Sequence, residues 1–302
     1  MRREEARLDR RGRAQYAFRE PRGARTQANR GQVMGNAQST PKKKIGHVWL
    51  MGVKLHQVTL PDLIDKFVEY AAEENRARPK KIFFINVHAM NLAYYDAEYR
   101  RILRTGDTVY ADGIGIILGA RICGRYLQKR LTAADFIFDV CEEYARRGIT
   151  AYFFGNKPGV AEKAARTLER KYPGLKIVGA RHGYYKESES GQIIEEINAL
   201  KPQMLLIGTG SPKQEKWLDR HYGKICVPLI WAVGATLDYI AGEEKRAPKY
   251  FEKAEWLFRL FQKFGHKWRR YLIGNAAYLT RLAKYYVRLR EHEAAQKRHT
   301  RQ

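Results

Sequence analysis

From about residue 47 the apolar positions fall into two alternating rhythms. Short unbroken runs of aliphatic, β-branched and aromatic residues read as buried strands: KIFFIN (81–86), TVYA (108–111), TAYFFG (150–155), KIVGA (176–180), QMLLIG (203–208) and PLIWAVG (228–234). Between them lie segments with apolar residues at helical spacing: 89–104, a stretch from about 114, 133–147, 158–172 ending before Pro173-Gly174, 190–200 and 212–222. Strands that are apolar throughout, each followed by a helix, predict a mostly parallel sheet covered on both faces. Ligands of such sheets bind where the strands end at their carboxyl edge, so the residues just after each run are the first candidates for chemistry. Internal repeats are not evident.

The two ends of the chain break this rhythm. Residues 1–44 are rich in Arg, Gly, Gln and Asn with almost no large aliphatic residues, which predicts a basic disordered tail over 1–46. Met34 and Met51 are alternative starts that would leave the tail without meaning. At the other end Leu257, Leu260, Phe261, Phe264, Trp268 and Leu272 recur at helical spacing, interleaved with Arg259, Lys263, Lys267 and Arg270. That is a basic amphipathic pattern, expected to break or kink near Gly265 and Gly274. The predicted organisation is therefore a tail (1–46), an α/β core of Rossmann-like type (47–244) and a basic amphipathic helical appendage (245–302).

Charge sharpens this division. The net charge is +25, of which residues 1–44 contribute +9 and residues 245–302 contribute +12, leaving +4 on the core. Such ends suit a polyanion: nucleic acid, an anionic bilayer or a diphosphate. At 44% hydrophobic residues the chain has ample core-forming material. Three separated cysteines, Cys123, Cys141 and Cys226, argue against a disulfide framework and for a reducing setting. No run of about 18 apolar residues is present to span a bilayer, and the basic N-terminus lacks the apolar region of a secretory signal. The eight histidines show no metal-ligand spacing, so no metal and no cofactor is expected.

Four clusters follow predicted strands. Asp112, in VYADGIG (109–115), suits a general base that takes a proton from a sugar hydroxyl, and equally suits an N-cap of the next helix. In GTGSPKQEKW (208–217), Gly208 and Gly210 let a ligand approach the backbone. Ser211 reads as an N-cap with Pro212 at the first helical position, where free N–H groups hold phosphate. Ser211 and Gln214 also match a capping box. Arg130 can pair two-pronged with a diphosphate or stand as a solvated residue, and Thr132 is placed to cap the following helix. Gly234, Asp238 and Gly242, leading into Arg246, suit a nucleotide edge or an ordinary turn. The spacing of Gly113, Gly115 and Gly119 is not that of a dinucleotide fingerprint.

Taken together, FINVHAMN (84–91), VYADGIGI (109–116), KRLTAADF (129–136), YFFGNKPGVAEKAA (152–165), YPGLKIVGARHGYY (172–185), LLIGTGSPKQEKW (205–217), VGATLDYIAGEEKRAP (233–248) and AEWLFRL (254–260) resemble the WecG/TagA/CpsF family of bacterial glycosyltransferases over about residues 47–275. The resemblance implies a metal-independent, inverting transfer from a UDP-sugar, notably UDP-N-acetylmannosamine or its uronic acid. The implied acceptor is N-acetylglucosamine on a polyprenyl diphosphate, in cell-envelope polysaccharide or teichoic acid synthesis. It places Asp112 as catalytic base and puts Asn86, Arg130, Thr132, Gly210, Ser211 and Gln214 at the donor, with Tyr184 and Asp238 near the nucleotide. It also gives Arg246, Arg259, Arg269 and Arg270 to a membrane-docking segment that closes over the diphosphate, so the expected location is the inner face of the plasma membrane. The chain departs from the family at Phe84, where a threonine is common, and at Thr132-Ala133-Ala134-Asp135, where T-G-x-D is usual.

Both departures touch the sugar pocket, which leaves open another UDP-hexose transferase of exopolysaccharide assembly. An epimerase or dehydrogenase shares the α/β class but lacks the glycine fingerprint. A nucleic-acid-binding protein is disfavoured, because the charge lies outside the core and no recognition motif is present. The C-terminal helix can also be read as packed on its own core. A homo-oligomer is compatible with everything above.

Overall fold

The computed structural model describes residues 45–73, 78–243 and 264–299, with the side chains of 264–272 and 297–299 left undescribed. Six parallel strands form one sheet: β3(Lys80–Ile85), β4(Thr108–Ala111), β5(Thr150–Gly155), β6(Lys176–Arg181), β7(Met204–Gly208) and β8(Leu229–Ala232), in the spatial order β4-β3-β8-β7-β5-β6. These are the six runs read from the sequence. Alternation along each strand feeds two separate cores. Phe83, Ile85, Val109, Phe154, Leu205 and Ile230 point to one face, and Ile82, Phe84, Tyr110, Phe153, Leu206 and Trp231 to the other.

The first face is covered by α2(Val87–Tyr95), α3(Ala97–Arg104), α4(Ile114–Ile122), α7(Ser190–Leu200) and α8(Lys213–His221). The second is covered by α1(Leu60–Ala72), α5(Ala133–Arg147), α6(Val160–Lys171) and α9(Thr236–Ile240). On the second face Phe136 stacks on Trp231 at 5.3 Å, and the Trp231 Nε1–H donates to the Tyr110 hydroxyl.

Three elements differ from the sequence expectation. The helix expected over 89–104 is two helices, because Asp96 stops α2 and its carboxylate accepts the Tyr99 N–H (2.9 Å) to start α3. An antiparallel hairpin, β1(His47–Leu50) and β2(Val53–His56), turns through Met51 and Gly52, both at positive φ, as a two-residue hairpin requires. Its His56 Nδ1 accepts the Val109 N–H (2.9 Å), which blunts the otherwise open edge of β4. Lastly, α10(Phe264–His299) runs without interruption through Gly274, where a break or kink was expected; the break expected near Gly265 falls at the helix start, next to residues outside the described ones.

Gly274 stays helical although a glycine costs about 1 kcal/mol there; its carbonyl accepts the Asn91 amide at 2.7 Å. Further along, Tyr278, Arg281 and Leu282 are buried against the core. The Arg281 guanidinium donates to Asn91 and to the Tyr95 hydroxyl and lies over the rings of Tyr94 and Tyr95. This part of the C-terminal segment therefore packs on α2 and α4.

Candidate active site

Because the sheet is wholly parallel, all six strands end at one edge. The order β4-β3-β8-β7 brings the residues after four of them side by side: Asp112, Asn86, Gly234 and Gly210. Strands lie about 4.8 Å apart, so the row from β4 to β7 spans about 14 Å.

At one end of the row Asp112 extends β4 by donating its N–H to Ile85 O (2.8 Å). It is half-buried and does not cap α4. The cap position belongs to Gly113, with φ +106°, and carries no side-chain bond. The Asp112 carboxylate is held from another direction. Leu131 N–H donates to Ala111 O (2.9 Å), docking the 129–132 segment beside β4. From there the Thr132 hydroxyl donates to Asp112 Oδ1 (2.9 Å), and Arg130 Nη1 donates to the Thr132 oxygen (3.4 Å). Thr132 does stand at the start of α5, but its hydroxyl serves Asp112 and makes no cap bond. Asn86, opposite Asp112 on the paired strand, caps α2 through Oδ1 to Ala89 N–H (3.0 Å).

At the other end Gln214 is wholly buried, and its amide is saturated. Oε1 accepts the N–H of Gly210 (3.3 Å) and of Gly234 (3.1 Å), while Nε2 donates to Ser211 Oγ (3.3 Å) and Glu215 Oε1 (2.8 Å). A glutamine has two acceptor and two donor positions, and all four are filled. The bonds tie the turn after β7 to the turn after β8. The expected capping box is absent: α8 begins at Lys213 with Pro212 at the cap position, and Ser211 Oγ donates instead to Glu215 (2.7 Å). Burial pushes the Glu215 carboxyl above its ordinary range, opposed by the bonds from Gln214 and Ser211.

The loop after β6 folds back over this corner. Gly183 donates its N–H to Asn156 O (2.8 Å), a Cβ on it would run into Thr209 and Gly155, and its carbonyl accepts Lys213 Nζ (3.2 Å). Exposed Tyr184 follows it, far from Asp112 across the sheet. Asp238 is half-buried on α9, beyond the β8 turn. Three residues here were missed from the sequence. Asn156 Oδ1, His182 Nδ1 and Thr209 Oγ1 are buried with no hydrogen-bond partner among the described residues. Each directly follows β5, β6 or β7, so the strand-end rule that found Asp112 also reaches Asn156, His182 and Thr209.

Arg246 and Arg259 lie outside the described residues; Arg269 and Arg270 are on α10, with side chains outside them. Among the described residues no group of three or more His, Cys, Asp or Glu is placed to hold a metal ion, and no helix is long and apolar enough to cross a membrane.

Two curated relatives show the same likeness from outside. An N-acetylglucosaminyldiphosphoundecaprenol N-acetyl-beta-D-mannosaminyltransferase of Bacillus spizizenii is 26% identical over 195 residues, 64% of this chain and 74% of that protein. A protein of the same description from Staphylococcus aureus is 26% identical over 215 residues, 70% of this chain and 82% of its own length. The profile of the glycosyl transferase WecG/TagA/CpsF family matches residues 48–292, from the first hairpin to the last helix. A match that takes in every strand of the sheet and the whole candidate edge makes this chain a member of that glycosyltransferase family.

Proposed function

We propose that the chain transfers N-acetylmannosamine, or its uronic acid, from UDP to N-acetylglucosamine carried on a polyprenyl diphosphate, at the inner face of the plasma membrane. The observation that carries this is the Arg130–Thr132–Asp112 chain at the carboxyl edge of β4, where a carboxylate and a guanidinium meet beside one hydroxyl. The relatives' descriptions, which name that donor sugar and that acceptor, support the substrate pair.

Asp112 takes the proton of the acceptor hydroxyl as its oxygen attacks the anomeric carbon. The bond from that carbon to the UDP oxygen breaks, UDP leaves with the electron pair, and the configuration inverts in one displacement. General-base help of this kind is typically worth about 10²–10⁴ in rate. Charge on the departing diphosphate is met by Arg130, by Lys213 and by the N-terminal end of α8, in place of a metal ion. The nucleotide lies toward β7, β5 and β6, where the partnerless atoms of Asn156, His182 and Thr209 accept its polar groups, with Tyr184 and Asp238 at its margin. Gln214 shapes this end and does not touch the donor, since its amide has no bond left to offer.

The test is purified chain with a panel of UDP-sugars and a short-chain lipid diphosphate N-acetylglucosamine. UDP-N-acetylmannosamine is expected to be used best, and Asp112→Asn to lose at least a hundredfold. Asp112→Asn turnover near wild type would reject the base assignment. Preference for another UDP-hexose would favour the second reading, whose support is Phe84: its ring lies against Gly234 at the strand ends, where the family commonly has a threonine.

A further inference from the structure

Helix α4 begins one residue after Gly113 and so grows directly out of the Asp112 turn. Its inner side, Ile116, Ile117, Gly119 and Ala120, is buried. Its outer side consists of Ile114 (44% exposed), Leu118 (46%) and Ile122 (55%), with exposed Arg121 among them. At about 100° per residue these four positions fall in one sector of the helix. Helices α5 and α6 present charge outward instead: α5 exposes Asp135, Asp139, Glu142, Arg146 and Arg147, and α6 exposes Lys163, Arg166, Arg170 and Lys171; α10 exposes Ile273, Leu279 and Val287 singly, nearly two turns or more apart. A contiguous apolar ridge on a helix of this kind marks a surface that meets something.

The neighbouring helix does not cover the ridge. Helix α10 crosses α4 on its flank, where the Tyr278 hydroxyl donates to Gly115 O (3.1 Å) and a Cβ on Gly119 would lie 2.0 Å from that hydroxyl. Gly119 thus lets α10 lie close against one side of α4, and Ile114, Leu118 and Ile122 stay outward. Cations accompany the ridge in sequence: Arg121 in the same sector of the helix, Arg125, whose guanidinium is 4.0 Å from Glu293 on α10, and exposed Lys129 in the following loop. Tyr126, 61% exposed, follows the helix. Apolar side chains accompanied by exposed Arg, Lys and Tyr have the composition of a surface that sits in an anionic headgroup layer.

We propose that the outer face of α4 (Ile114, Leu118 and Ile122, with Arg121 and Tyr126) is a bilayer-docking surface that sets Asp112 at the height of an acceptor held in the membrane. A second copy of the chain on this face would crowd the approach to Asp112, whereas a bilayer brings a lipid-linked hydroxyl to it. The purpose of the surface rests on the lipid-linked acceptor proposed above, but its existence is tested without that acceptor.

The experiment is sedimentation of the full chain with phosphatidylglycerol–phosphatidylethanolamine vesicles, comparing wild type with Leu118→Ser/Ile122→Ser and with Leu118→Trp. The double variant is expected to lower the vesicle partition coefficient at least tenfold with an unchanged melting temperature. Leu118→Trp is expected to raise it severalfold. If the double variant also melts early, Leu118→Trp decides: tighter binding supports the surface, and unchanged binding overturns it. Unchanged partition of the double variant overturns it too. So does a dimer in light scattering that the double variant splits without loss of vesicle binding, since the face would then join two copies. Vesicle binding through α4 without transfer to any lipid diphosphate would keep this inference and end the proposed function; transfer together with undiminished vesicle binding by the double variant would do the reverse.

Discussion

Replacing Gln214 tests whether the two glycine turns of the site are braced from below. In Gln214→Met the side chain keeps its length but neither accepts from Gly210 and Gly234 nor donates to Ser211 and Glu215. Gly210 is half-exposed and regains a partner from water, but Gly234 is buried. One buried N–H left without an acceptor costs about 1–3 kcal/mol, and loss of a donor to the buried Glu215 carboxyl costs a similar amount. The expected loss is therefore roughly 3 kcal/mol for Gln214→Met. Gln214→Ala, which adds an unfilled volume in a site with no exposure, should lose more. Urea unfolding followed by far-UV circular dichroism measures both, and donor KM is read on the same preparations. The brace predicts that stability and donor KM worsen together. A Gln214→Met protein within about 1 kcal/mol of wild type that has nonetheless lost donor binding would show that the amide contacts the donor, and would refute the reasoning.

Other outcomes follow from the same geometry. Burial, with Lys54 and His47 adding to it, holds the His56 ring down to about 4 against an ordinary 6.5. The unfolded chain then binds the extra proton between those values, so stability falls as pH drops from 6.5 toward 4, by up to roughly 3 kcal/mol. His56→Asn, which still accepts from Val109, should flatten that slope in thermal melts across this range; an unchanged slope would assign it to other groups. Glu215 has the opposite sign, since a carboxyl raised by burial supports the fold at low pH and weakens it as pH rises through its folded value. Glu215→Gln keeps an acceptor for Ser211 and Gln214, so it should melt higher than wild type at alkaline pH, and a lower melt there would contradict the burial argument. Turnover is expected to survive a chelator; its loss with EDTA and recovery with magnesium would overturn the metal-independent mechanism.

All six strands were legible because a sheet buried on both faces leaves unbroken apolar runs, and two cores of opposite facing are what that pattern encodes. The hairpin was not, since a turn through Met51 and Gly52 rests on two positive φ angles and only one of those residues is a glycine. The break at Asp96 was hidden because an aspartate inside an apolar rhythm reads as an exposed helical residue until its carboxylate is seen capping α3. At Gly274, α10 is held from outside by Asn91, 183 residues away in sequence, and no local pattern reports that contact. Among the candidate site residues, position after a strand pointed to Asp112, Gln214 and Asp238. It did not show that Asp112 leaves the cap of α4 to Gly113, or that the serine–glutamine pair spends its bonds on Glu215. Those outcomes depend on which neighbouring strand end supplies the competing partner, and only the sheet order fixes that.

The Thr132 hydroxyl is where the fold and the proposed chemistry become separable. Its proton points at Asp112 Oδ1, and its oxygen accepts from Arg130, so one small group aligns the base and the cation. A hydrogen bond to a charged group is worth about 1.5–3 kcal/mol. If most of that is expressed in the transition state, Thr132→Val should cut kcat roughly ten- to a hundredfold. Valine matches the shape, and Thr132 makes no side-chain cap bond, so α5 should start as before and the melting temperature should hold. Thr132→Ser restores the hydroxyl and should recover most of the rate, which a purely structural role would not predict. Donor KM should move little, because Thr132 orients the base rather than the nucleotide. A valine variant with wild-type kcat would mean that Asp112 needs no such alignment, and the base assignment would then lose its strongest geometric support.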